Sequence, residues 1–167
     1  MTPEAGSVRS RVLVAVRVSA TPEEAFTAFT EGIGDWWRPN PLFSFSRGRT
    51  GRLAFEVGPT GRLVERYDDG SEFIIGHVRQ WAPPRALVVS WRQDSFAPDL
   101  DTELQVRFDP VEDGRTRVTV EHFGWDALPA DHAARHGFPL PVFQQRFAEW
   151  WQTLLGEYSA AWPAPRP

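Results

Sequence analysis

The strongest constraint on the fold is a long run of alternating strands followed by one wide aromatic helix. In Arg11 to Ser19, Val12, Val14, Val16 and Val18 alternate with Arg11, Leu13, Ala15 and Arg17, the period of a half-buried strand. Further strands are predicted at Arg52 to Val57, Leu63 to Tyr67, Glu72 to Trp81, Ala86 to Trp91, Thr102 to Phe108 and Thr116 to Phe123. Gly58-Pro59-Thr60-Gly61, Asp68-Asp69-Gly70 and Asp109-Pro110-Val111-Glu112-Asp113-Gly114 punctuate them as turns. Val142 to Trp162 then places Phe143, Phe147, Trp150, Trp151, Leu154, Tyr158 and Trp162 at steps of three and four, the spacing of an amphipathic helix. Consecutive strands joined by tight turns make an antiparallel sheet, and this helix is the element long enough to cover its inner face.

Between the first two strands, Thr21-Pro22-Glu23-Glu24 opens a short helix. Thr21 is suited to the cap, Pro22 to the first helical position, and the two glutamates to the positive end of the helix dipole. The helix runs to about Thr30, and Gly32 and Gly34 close it. In Asp35-Trp36-Trp37-Arg38-Pro39-Asn40-Pro41 the two prolines prevent the helix from continuing.

Composition excludes several chemistries. The 167 residues contain no Cys, and every one of the 18 basic residues is Arg, so thiolate and Schiff-base lysine catalysis have no side chain to use. A net charge of -4 with scattered arginines argues against general binding to nucleic acid. The longest apolar run, Val12 to Val16, falls far below the roughly 18 residues of a membrane span, and Met1 to Ser10 lacks the apolar block of a signal peptide. A cytoplasmic protein is expected, with one domain over residues 11–162 and flexible termini at 1–10 and 163–167.

Several segments resemble a known superfamily. Val18-Ser19-Ala20-Thr21-Pro22-Glu23-Glu24-Ala25-Phe26 is similar to the strand-to-helix entry of the SRPBCC (START and birch-pollen-allergen-like) helix-grip domains. Gly76 to Trp91 follows the pattern G-x-V-x-x-x-x-P-P-x-x-L-x-x-x-W of the branch named for activators of a heat-shock chaperone ATPase. Thr102 to Pro110 and Thr116 to Trp125 continue the pattern. The resemblance implies an α+β helix-grip fold, a curved antiparallel sheet of six to seven strands wrapped around the C-terminal helix, with an apolar cavity between them.

In that register Leu53, Phe55, Val57, Val78, Leu87, Val89, Trp91, Leu104, Val106, Phe108, Val118, Val120 and His122 point inward, towards the terminal helix. With 8 Trp and 12 Phe in the chain, large rigid rings are candidates for cavity walls. The expected ligand-binding residues are Trp36, Trp37, Phe55, Trp91, Val106, Val120, His122, Phe143, Phe147, Trp150 and Trp151. His122 is also the candidate acid-base group, since an inward imidazole can donate, accept or take a proton near neutral pH.

Glu65 shares its alternation with Leu63 and Tyr67, which allows it to point inward and pair with an arginine. His132 and His136 stand four apart beside Asp131, but without a third ligand they read as a solvated connector, and neither metal nor cofactor is expected. The sequence therefore favours a protein that binds an apolar or aromatic small molecule, as a monomer or homodimer. The resemblance keeps two others open: a regulator that stimulates a heat-shock chaperone ATPase, and a cavity enzyme of the cyclase or lyase type.

Overall fold

A computed structural model describes residues 10–163. The termini expected to be flexible lie almost wholly outside the described residues. Seven strands form one antiparallel sheet: β1 (Arg11–Val18), β2 (Arg52–Phe55), β3 (Arg62–Arg66), β4 (Glu72–Ala82), β5 (Ala86–Trp91), β6 (Thr102–Pro110) and β7 (Thr116–Phe123). Their order is β1-β7-β6-β5-β4-β3-β2, so the first two strands form the two edges. Three helices accompany them: α1 (Pro22–Thr30), α2 (Ile33–Trp36) and α3 (Leu140–Ser159). The sheet curves around α3 in the helix-grip fold.

The local signals act as their chemistry dictates. Thr21 and Glu24 form a reciprocal capping box, the Thr21 hydroxyl accepting from the Glu24 amide at 3.2 Å. Gly76, where β4 crosses close to β5, has no room for a side chain, because a Cβ there would lie 1.6 Å from the Ser90 carbonyl oxygen. On the convex face, Glu121 of β7 bridges Arg107 of β6 at 2.8 Å and Arg11 of β1 at 3.0 Å, joining three strands through one carboxylate.

Two expectations are corrected. Val57 does not point inward: β2 ends at Phe55, the chain leaves the sheet, and Val57 is 61% exposed. The terminal helix begins two residues earlier than Val142, because Pro141 is tolerated in a first turn, and it ends at Ser159 before reaching Trp162. Trp162 precedes a proline, which disfavours helical backbone, and it packs edge-on to Tyr158 instead.

The core is aromatic. Phe143, Phe147, Trp151 and Leu154 of α3 are fully buried against Val106, Phe108, Val118 and Val120 of the sheet. Rings meet mostly edge-to-face or tilted, as their quadrupoles favour, with Phe26, Phe29 and Tyr158 continuing the cluster to the C-terminal end of α3.

Candidate functional site

The connector from α2 to β2 builds the site. Trp36 and Trp37 both turn inward: the Trp36 indole donates to the Ala28 carbonyl at 3.0 Å, and Trp37 packs against Trp150, Trp151 and Trp91. Pro39 and Pro41 bracket Asn40, whose side-chain oxygen accepts from the Leu42 amide at 2.9 Å and starts a single 3₁₀ turn at Pro41–Phe43. That turn inserts Phe43 among Phe143, Phe147 and Trp150, and two residues later Phe45 packs on Trp91. Between this connector, β3 and α3 lies a half-open cleft of about 500 Å³, walled by Trp37, Phe43, Phe45 and Trp150 and closed on its polar side by Arg49 and Glu65.

Glu65 points inward, as the alternation with Leu63 and Tyr67 allowed, and is 4% exposed. Its partners differ from the expected arginine. The Tyr67 hydroxyl donates to Oε1 at 2.6 Å, and the Gly51 amide donates to Oε2 at 3.3 Å. Burial, followed by the hydrogen bond to Glu65, pushes the Tyr67 phenol up to about 12, so it remains a donor at neutral pH. Gly51 must be glycine for this approach, since a Cβ would lie 2.3 Å from the Arg66 carbonyl oxygen and 2.9 Å from Glu65 Cγ. The Arg49 guanidinium lies over the Tyr67 ring, 3.7 Å from its centroid, and is held there by Asp69 at 3.0 Å and Ser71 at 2.9 Å.

Behind the cleft sits His122, completely buried between Trp91, Trp125 and Phe147. The Thr102 hydroxyl donates its one hydrogen to the Trp91 carbonyl at 2.9 Å, so at 2.7 Å from His122 Nε2 it must accept. That assigns the proton to Nε2 and leaves Nδ1 as a bare acceptor. Burial lowers the imidazole to about 3, so it is neutral at physiological pH. Among the described residues Nδ1 has no partner, and neither do the buried indole N–H groups of Trp91, Trp125 and Trp151.

The structure thus separates the candidate residues by depth. Trp37 and Trp150 line the cleft directly. Trp91 and Trp151 stand behind Trp37, while Val106, Val120, His122, Phe143 and Phe147 lie deeper, at the interface of sheet and helix. Phe55 is buried in β2, and Trp36 edges a separate surface groove between α1 and the end of α3. Sequence reasoning did not single out Phe43, Phe45 or Arg49. Phe43 and Phe45 do alternate beyond a proline-bracketed turn, a signal that large inward rings continue past the tryptophan pair.

His132 and His136 do not share a helical face. His132 caps a 3₁₀ turn by accepting from the Ala134 amide, His136 has a positive φ of 54° and bonds the Leu42 carbonyl, and no metal-binding cluster occurs among the described residues.

With this geometry in view, comparison with known proteins places the chain. No curated protein matches it in sequence. Similar solved structures include an HSP90 activator from Plasmodium falciparum, at 16% identity and TM-score 0.61, covering 92% of this chain and 97% of that one. The Aha1 dimer from Colwellia psychrerythraea is similar at 16% identity and TM-score 0.60, covering 92% and 96%. These two show a shared fold. An anthrahydroquino-gama-pyrone synthase, Txn09, is 28% identical with TM-score 0.54, covering 90% of this chain and 95% of the other. Residues 19–158 match the family described as Activator of Hsp90 ATPase homolog 1-like protein, and the chain, an SRPBCC-superfamily helix-grip domain, belongs to that family.

Proposed function

We propose that the protein binds flat, largely apolar small molecules in the cleft between the α2–β2 connector, β3 and α3, as a cytoplasmic binding protein. One observation carries this reading: four aromatic side chains and a nearly buried carboxylate converge on a half-open space of about 500 Å³. That is the size and lining of a small-molecule site, with apolar walls supplying affinity and few polar groups supplying orientation. A ligand burying about 300 Å² of apolar surface would gain roughly 7 kcal/mol before the losses of immobilisation, which leaves room for micromolar binding. The likeness to Txn09, an anthrahydroquino-gama-pyrone synthase by name, supports the flat-ring part of the reading.

The test is a titration of tryptophan emission and of heat with naphthalene-, anthraquinone- and fatty-acid-type probes. Trp37 and Trp150 line the cleft, so an aromatic probe is expected to quench them, and Trp150→Ala is expected to weaken binding. Absence of heat and of quenching across the panel refutes the reading.

The same likeness favours a second reading, a cyclase- or lyase-type enzyme. There His122, its ring fixed by Phe147 and Trp91, is the candidate acid-base group. His122→Ala would then abolish turnover while probes still bind. The family's name supports a third, stimulation of a heat-shock chaperone ATPase, which a pull-down with the host chaperone and an ATPase assay separate from the first two.

A further inference from the structure

We propose that Glu65 is the specificity-determining anchor of the cleft, accepting a hydrogen bond from the phenolic hydroxyl of a flat aromatic ligand. The proposal rests on the small-molecule reading above and names the chemical class of the ligand.

A carboxylate offers about four acceptor positions. Glu65 uses two, one for Tyr67 and one for a long bond from the Gly51 amide, yet it is almost removed from water and borders the cleft. Burying a charge with part of its accepting capacity unused is costly, and a donor on the ligand would recover that capacity. The Tyr67 hydrogen is already committed to Oε1, so Tyr67 fixes the orientation of the carboxylate and leaves Oε2, with its weaker partner, for the ligand.

Charge selects the kind of donor. Arg49 borders the same cleft, and its guanidinium is held over Tyr67 by Asp69 and Ser71. Asp69 offsets part of that charge, but an ammonium head would still meet a fixed guanidinium, whereas a neutral hydroxyl meets no such opposition. The ring faces define the rest of the molecule. Phe43 and Trp150 stack at an interplanar angle of 19°, and Trp37 stands nearly perpendicular to Trp150 at 75°, which forms a corner for one flat ring system. No bond is made or broken in this step; the phenol keeps its proton and donates it to the carboxylate.

Isothermal titration of the wild-type chain with 2-naphthol and 2-methoxynaphthalene tests the proposal. Because a hydrogen bond to a charged acceptor is strong, 2-naphthol is expected to bind about tenfold tighter or more. In Glu65→Gln, which keeps the shape and loses the charge, the ratio is expected to narrow to within about threefold. An unchanged near-ultraviolet circular-dichroism spectrum of that variant, which reports the packing of Trp37 and Trp150, shows that its cleft is intact. Equal affinity of the two ligands for the wild type overturns the anchor while leaving the small-molecule reading standing, and an unchanged preference in Glu65→Gln overturns it too. If neither ligand binds, the small-molecule reading itself fails. Tighter binding of 2-naphthylmethylamine than of 2-naphthol refutes the selection of a neutral donor.

Discussion

Acid should unfold this protein earlier than its carboxylates alone dictate, because of one imidazole. In the unfolded chain His122 titrates near 6.5, whereas burial lowers it to about 3 in the folded protein. A base with a depressed folded pKa takes up its proton more readily when unfolded, so protons favour the unfolded state. Its contribution to stability is fully present above about 6.5 and is lost progressively as pH falls towards 3. Between pH 7.5 and 5 the linkage relation gives a loss of about 2 kcal/mol, approaching about 1.4 kcal/mol per pH unit at the lower end. Over that interval most carboxylates are still ionised. Glu56, held below the usual range by its hydrogen bonds from Arg62, and Asp69, held down by Ser71, lose their own contributions only at lower pH. The assay is urea unfolding followed by circular dichroism at half-unit steps from pH 7.5 to 5, on the wild type and on His122→Gln. The variant is less stable throughout, but the informative quantity is the slope. The wild-type curve should fall about 2 kcal/mol further than the variant's across the interval. Parallel curves would refute the reasoning, since they would mean that the imidazole protonates in place. A nitrogen-15 correlation spectrum of the folded protein should independently show the proton on Nε2.

Three further outcomes follow from the packing. Thr21→Ala removes one half of the capping box and should cost about 1 kcal/mol, read as a Tm lower by about 2 to 4 °C. Phe147→Ala opens a cavity beneath His122 and Phe43, and chemical denaturation should show a loss of about 3 to 5 kcal/mol. Gly76→Ala puts a methyl group 1.6 Å from the Ser90 carbonyl, so β4 must move away from β5; a loss of about 3 kcal/mol or more is expected, and a wild-type melting curve would contradict that geometry.

Most of the scaffold was legible because each element announces itself locally. Valine alternation over Arg11–Val18 and the capping sequence before α1 require no knowledge of the rest of the chain. The ends of α3 were less legible, because they depend on how Pro141 and Pro163 constrain the backbone rather than on the apolar period. The site was only partly readable. Trp37 and Trp150 were visible as unusual rings and Glu65 as an inward charge, but their convergence is a property of register and of the α2–β2 connector. That connector has neither helical nor strand periodicity, so Phe43, Phe45 and Arg49 gave no periodic signal. The partner of Glu65 was equally hidden, since Tyr67, two residues on and just past the end of β3, satisfies it locally, whereas an arginine was sought from elsewhere.

The two edges of the sheet bear on how copies of this chain can meet. β2 has only four residues, and its Arg52 is paired with Asp35 of α2 at 2.8 Å, so it is a poor template for another strand. β1 is longer, but Arg11 and Arg17 stand near its two ends, each engaged by a glutamate. Short length and edge charge are the devices that keep sheets from growing by strand addition. A second copy is therefore directed towards the faces of the molecule, and the sheet is protected from templating fibrils through its own borders.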